Sequence, residues 1–221
     1  MAHNFDICIR GGGIVGSALA LLLARDRLKV ALLPSPGPKP AAASDVRAYA
    51  LNAASRRLLE SLRSWPDAEH ATPVRAMQVH GDQGGKVHFD AAEQGVEALA
   101  WMVDVPALEA RLAEAVRYQP HVEYVDAPVP AALTAVCEGR ASSTRHEFGV
   151  AFDTTPYGQQ AIATRLRCER PHGEVARQWF LPNGILAFLP LGGPGGNSVA
   201  VVWSVSQEQS AALMALSPEE F

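Results

Sequence analysis

Cysteine is scarce in this sequence: Cys8, Cys137 and Cys168 are the only three in 221 residues, and they lie far apart. An odd, scattered set gives no disulfide framework and fits a reducing compartment. A surplus of one charge is also missing, with 19 Lys plus Arg against 23 Asp plus Glu. Without a basic patch, nucleic acid is not an expected partner. No apolar run has the length of a membrane span. The longest, Ile14 to Leu23, stops short of Arg25-Asp26-Arg27, and no secretory signal is read. The seven histidines lack ligand spacing, so no metal site is expected, and no Gly-x-Ser-x-Gly elbow marks a hydrolase. What the chain does have is a 48% share of hydrophobic residues. That suffices for the core of one large domain or two small ones.

Along the chain, residues 5–9 read as a strand running into three glycines, 14–27 as a helix, and 28–33 as a second strand. Strand, glycine turn, helix and strand within about 30 residues make the βαβ unit of a parallel sheet. Residues 34–44 are a Pro/Ala/Gly loop, and 54–64 an amphipathic helix ended by Trp65-Pro66. Strand-like stretches follow at 74–80, 86–90 and 99–103, then a helix started by Asp104 and Pro106. Residues 121–125 and 133–137 read as two more strands. From 162 onward the chain is strand-rich, at 162–168, 177–181, 185–191 and 198–205, with a turn at Pro182-Asn183-Gly184. The expected fold is α/β: a Rossmann-like parallel sheet that gives way to a second, mostly antiparallel β-sheet.

Gly11-x-Gly13-x-x-Gly16 lies directly after a strand and opens a helix. The first glycine permits a tight turn, the second lets a pyrophosphate approach the backbone, and the third packs helix on sheet. The helix N-terminus adds free N–H groups and the positive end of a dipole, contributed here by Ile14, Val15 and Gly16. The acidic residue that ordinarily follows the second strand and binds the adenosine ribose is replaced by Pro34, with Ser35 after it. Loss of that charge-assisted hydrogen bond costs roughly 1.5–3 kcal/mol of dinucleotide affinity.

Several stretches together resemble the FAD-dependent aromatic hydroxylases of ubiquinone biosynthesis. They are the loop GGGIVGSALALLLA, the segment DVRAYALNAASRRLLESLRSWP, and above all YGQQAIATRLRCERPHGEVARQWFLPNGILAFLPL followed by NSVAVVWSV. The resemblance covers nearly all 221 residues. It implies an FAD-binding part at 1–73 and 99–150, with a substrate-domain sheet at 74–98 and 151–221. The rest of the FAD domain, including a later Gly-Asp motif, would fall after residue 221, so a truncated hydroxylase with an incomplete flavin site is expected. FAD is the implied cofactor, NAD(P)H the transient reductant and molecular oxygen the co-substrate. The implied substrate is a small aromatic or polyprenylated phenol or quinol. A cytoplasmic location is expected, peripheral on the inner membrane or beside other enzymes of ubiquinone biosynthesis.

The resemblance also assigns residues. Gly11, Gly13, Ile14, Val15 and Gly16 would hold the pyrophosphate. Arg47, from the Asp-x-Arg motif, would reach the phosphates or ring edge, or else be a solvated loop arginine. In CEGRASSTR, Glu138 and Gly139 stand where the family has Asp-Gly, followed by Ser142 or Ser143 and by Arg145. Glu138 would orient flavin or nicotinamide at a geometry changed by one methylene. Phe180, Phe188 and Trp203 would wall an aromatic pocket, or be plain core. His172 reads as part of a Pro-His-Gly turn, and Cys137 and Cys168 as buried, unreactive thiols. No residue is assigned to catalysis, because the cofactor carries the hard step. Two further readings stay open: a non-catalytic scaffold with a degenerate flavin site, which Pro34 and Glu138 favour, and a flavin-dependent dehydrogenase on the same fold.

Overall fold

The structure, a computed structural model, describes residues 4–34, 45–140, 142–217 and 219–221. In chain order its elements are β1 (Phe5–Arg10), α1 (Ile14–Arg25), β2 (Val30–Leu33), β3 (Ala48–Leu51), α2 (Ala53–Ser61), β4 (Ala71–Val74), β5 (Ala76–His80), β6 (Lys86–Asp90) and β7 (Ala100–Asp104). They continue with α3 (Val105–Arg117), β8 (Val122–Tyr124), β9 (Ala131–Val136), α4 (Ser143–Glu147), β10 (Gln159–Arg167), β11 (Val175–Leu181), β12 (Gly184–Leu191), β13 (Ser198–Ser206) and α5 (Gln207–Met214). Two compact units share these elements. The first draws on Met1–Ala41, Arg56–Trp65 and Pro106–Thr154, the second on Ala42–Ser55, Pro66–Val105 and Thr155–Phe221.

The first unit is built on a four-stranded sheet of order β8-β2-β1-β9, parallel at each pairing. Ile7 stands opposite Val30 on one side and Leu133 on the other. A strand buried on both faces needs no polar alternation. Accordingly Ile9, Val30, Ala31 and Leu32 are all fully buried at 0% exposure. The βαβ unit at its start is the one the spacing predicts.

The second unit holds two sheets. Six strands run in the order β10-β13-β12-β11-β5-β6, antiparallel except where β5 lies parallel to β11. Three more form the antiparallel sheet β3-β7-β4. Val74 and Met102 from the small sheet pack with Ala176, Leu191 and Ala200 from the large one. Just after β12, Gly192 is required: a Cβ there would stand 1.9 Å from the Glu69 carbonyl oxygen.

Three local features differ from the sequence reading. The run at 74–80 is two strands divided at Arg75, because β4 pairs with β7 while β5 pairs with β6 and β11. Residues 48–51, to which the sequence reading assigns no element, form β3. Short helices occur at α4 and α5, each capped by a serine, Ser142 accepting from the Arg145 N–H and Ser206 from the Gln209 N–H. The expected turn at 182–184 is a two-residue connection, with Leu181 paired to Gly184 across it. The 34–44 loop lies outside the described residues except for Pro34.

Leu32, at 0% exposure in an inner strand, sets the scale of core stability in the first unit. Leu32→Ala is expected to cost about 2–5 kcal/mol, as a lower urea midpoint with an unchanged slope.

Candidate functional site

The three glycines of the motif meet different neighbours. Gly11 has φ +113°, a conformation that disfavours side chains, and a Cβ there would lie 2.4 Å from the Cys137 carbonyl carbon. At Gly16 a Cβ would fall 1.8 Å from the Gly11 carbonyl oxygen and 3.3 Å from the Cys137 Cβ. These two glycines therefore bring the turn, α1 and the end of β9 together. Gly13 differs: it caps α1 with extended φ −75°, and a Cβ there would meet nothing within 4 Å. It faces open space.

Gly13 has no side chain to cap the helix, and the first turn of α1 carries no acidic residue. The N–H groups of Ile14, Val15 and Gly16 have no carbonyl one turn back to bond, and Val15 is 68% exposed. The open ground at Gly13 beside these donors suits an anion with several oxygens. That is the space and chemistry a pyrophosphate requires. Pro34 borders the same turn, since a Cβ on Gly12 would stand 3.2 Å from the Pro34 Cα. The ribose position is thus beside the loop, without a carboxylate. Ser35 lies outside the described residues.

Glu138 follows β9 and is turned inward. One carboxylate oxygen accepts from Ser142 Oγ at 2.7 Å and from the Thr144 N–H at 3.1 Å, and the other from Thr144 Oγ1 at 2.6 Å. Arg10, the last residue of β1, stands 3.7 Å away and also pairs with Glu147 at 2.8 Å. Burial works to raise the Glu138 carboxyl, but the Thr144 and Ser142 hydrogen bonds, with Arg10 beside it, outweigh that and hold it below its ordinary value. The Glu138 carboxylate serves as a cap for α4 and ties this segment to β1. Gly139, at φ +73°, makes the turn that follows.

Arg47 lies in the second unit. Asp45 clasps its guanidinium, with Nε 2.8 Å from Oδ1 and Nη2 2.5 Å from Oδ2. Arg47 in turn holds the Asp45 carboxyl below its ordinary value. The strand register divides the three aromatic candidates. Phe188 and Trp203 share one face of the six-stranded sheet with Trp179, which meets Phe188 edge-on at 5.3 Å. Phe180 points to the opposite face, half-exposed at the hairpin end. His172 is buried: its Nδ1 accepts the Glu174 N–H, leaving Nε2–H to donate to the Leu191 carbonyl. It is a turn residue. Cys137 and Cys168 are half-buried rather than buried, and burial pushes the Cys137 thiol up.

With this geometry in hand, the chain can be set beside known proteins. No family model matches it. It is 31% identical over 227 aligned residues to 3-demethoxyubiquinol 3-hydroxylase of Escherichia coli, covering 90% of this chain and 56% of that protein. It is 30% identical to the ubiquinone hydroxylase UbiL of Rhodospirillum rubrum, covering 98% and 55%. The chain is homologous to the hydroxylases of ubiquinone biosynthesis. A Drosophila melanogaster relative, the mitochondrial ubiquinone biosynthesis monooxygenase COQ6, is 28% identical over 99% of this chain and 53% of its own length. The chain spans about half the length of the curated relatives it matches.

Solved structures agree on the fold of this hydroxylase homologue. A probable FAD-dependent monooxygenase from Pseudomonas aeruginosa, PqsL, superposes with a TM-score of 0.76 at 20% identity, over 96% of this chain and 63% of that one. The p-nitrophenol 4-monooxygenase PnpA of Pseudomonas putida gives 0.72 at 18% identity, over 97% and 62%. The mixed α/β fold, with one parallel and two mainly antiparallel sheets, is that of FAD-dependent monooxygenases. Among the described residues no helix is long and apolar enough to cross a membrane.

Two outcomes follow for the first unit of this homologue. Gly13→Ala is expected to leave the thermal midpoint nearly unchanged, whereas Gly16→Ala lowers it sharply, a loss of about 2 kcal/mol or more from overpacking. For Glu138 the depressed carboxyl contributes stability that is full above its ordinary value and fades as pH falls through its lowered one. Glu138→Gln should therefore cost about 1–3 kcal/mol at neutral pH. Urea titrations should show the gap from the parent protein closing as the pH becomes strongly acidic.

Proposed function

We propose that this chain forms the glycine-loop unit and the substrate sheet of an FAD- and NAD(P)H-dependent monooxygenase. Its reaction would hydroxylate an aromatic ring, that of a polyprenylated phenol or quinol in ubiquinone biosynthesis. The observation that carries the reading is the open ground at Gly13 beside uncapped helix N–H groups, in a chain 31% identical to a ubiquinol hydroxylase. In this reading Gly11, Gly13, Ile14, Val15 and Gly16 cradle the FAD pyrophosphate through the backbone. By the family resemblance Arg47 would reach the flavin's phosphates or ring edge, and Glu138 with Gly139 would orient flavin or nicotinamide. A bound FAD, with NAD(P)H as its reductant, would supply the activation of molecular oxygen. The chain's residues bind, orient and exclude water.

The substrate role falls to the six-stranded sheet, whose face bearing Trp179, Phe188 and Trp203 offers apolar surface worth about 25 cal/mol for each Å² covered. Phe180, on the opposite face, would take no part in this surface. The protein would work in the cytoplasm, in peripheral contact with the inner membrane or with other enzymes of the pathway. Pro34 favours a second reading, a non-catalytic relative, because the ribose position beside the loop offers no carboxylate.

Colour separates the two. The purified full-length protein should be yellow and should oxidise NAD(P)H in an oxygen-dependent manner that a phenolic substrate stimulates; a colourless, inert full-length protein would mean the scaffold. Gly13→Val should abolish flavin retention on a desalting column while the thermal midpoint stays close to that of the parent. Pro34→Glu should tighten FAD by about 1–2 kcal/mol in a fluorescence titration, the worth of a restored hydrogen bond.

A further inference from the structure

Arg10 closes β1 and immediately precedes the glycine turn, yet its side chain is turned inward, 12% exposed, against a Glu138 side chain that is 10% exposed. Its Nη2 pairs with Glu147 Oε2 at 2.8 Å. Its Nε is buried, has no hydrogen bond among the described residues, and stands 3.7 Å from Glu138 Oε1. Glu138 is already supplied with donors, by Ser142 Oγ, the Thr144 N–H and Thr144 Oγ1. The contact between Arg10 and Glu138 is therefore one of charge rather than of hydrogen-bond geometry.

That charge lies beside the glycine turn, within the same unit. The Cys137 N–H donates to the Arg10 carbonyl at 2.7 Å, and a Cβ on Gly11 would stand 2.7 Å from the Glu138 backbone nitrogen. The Cys137 Cβ lies 3.3 Å from where a Cβ on Gly16 would be, in the first turn of α1. Glu138, held below the ordinary carboxyl value, is ionised at neutral pH. A little-exposed carboxylate one side chain away from the turn opposes any anion held over Gly13, because repulsion is weakly screened away from water. Arginine keeps its proton at every working pH, so it cancels that charge throughout.

We propose that Arg10 is the counter-charge of the glycine loop: it neutralises Glu138 and so lets the loop accept a pyrophosphate. This rests on the flavin reading above. Arg10 does not touch the cofactor; it is a positioning residue that acts through Glu138.

The test is a double-mutant cycle on FAD affinity in the full-length protein, with thermal midpoints recorded alongside. ADP serves as a second probe, since it carries the pyrophosphate without the flavin. Arg10→Met should weaken both ligands about tenfold, the effect of one uncancelled charge at close range. In a Glu138→Gln background the same substitution should change either affinity by less than about twofold, since no charge is left to cancel. Arg10→Lys keeps the charge and should bind FAD within about twofold of the parent. Parent-like affinity in folded Arg10→Met, an equal loss in the Glu138→Gln background, or an Arg10→Lys protein as weak as Arg10→Met would each overturn the assignment while leaving the flavin reading intact. If Arg10→Met alone does not fold, the other two comparisons decide: retained affinity in both supports the proposal, and a loss of about tenfold in either overturns it. A parent protein that binds neither FAD nor ADP would overturn both readings.

Discussion

Everything in the first unit rests on two backbones that come closer than any side chain would allow. The Gly11 carbonyl lies where a Cβ on Gly16 would be, and the Cys137 carbonyl carbon where a Cβ on Gly11 would be. Through this contact the start of α1 is pressed onto the turn, and the turn onto the chain leaving β9. The helix N-terminus is then aimed outward over Gly13, with no side chain in the way. The anion cradle is thus a by-product of packing. Two glycines hold the geometry, and the third leaves it empty.

Charged groups reinforce this arrangement in the same manner in both units. Each time, a partly buried charge spans a gap that the hydrogen-bonded ladders leave open. Glu138 gathers Ser142, Thr144 and Arg10 around the segment after β9. Arg165 gathers Asp104 and two carbonyls around the segment before β3. Breaking such a group leaves the remaining partners desolvated and unmatched, which is costlier than never having built it. Both groups border segments that carry candidate cofactor residues, Glu138-Gly139 and Arg47.

Much of the fold is legible because its signals are local. Three glycines between two apolar runs announce the βαβ unit, and Pro182-Asn183 marks the hairpin. What escapes is decided across long separations. Residues 74–80 form one apolar run, and only their different partners, β7 on one side and β6 and β11 on the other, divide it at Arg75. β3, with the sequence AYAL, becomes a strand because β7 is there to receive it. The aromatic trio is separated by register, a property that residue type does not carry. Glu138 is legible as a carboxylate after a strand, but its inward turn depends on Ser142 and Thr144 forming a helix start that the sequence pattern does not advertise.

The pairing of β1 with β9 also bears on how the chain is made. Phe5 is matched to Ala131, and the segments between them are divided between the two units. As the ribosome emits the chain, β1 and β2 can pair early, but the other edge of β1 stays bare until residue 136 has emerged. Contacts of such sequence separation form late and slowly, and an unpaired strand edge attracts other chains meanwhile. The interleaved connectivity therefore leaves the nascent protein with an open sheet edge until residue 136 has emerged, and neither unit can be cut out as a contiguous piece of the gene.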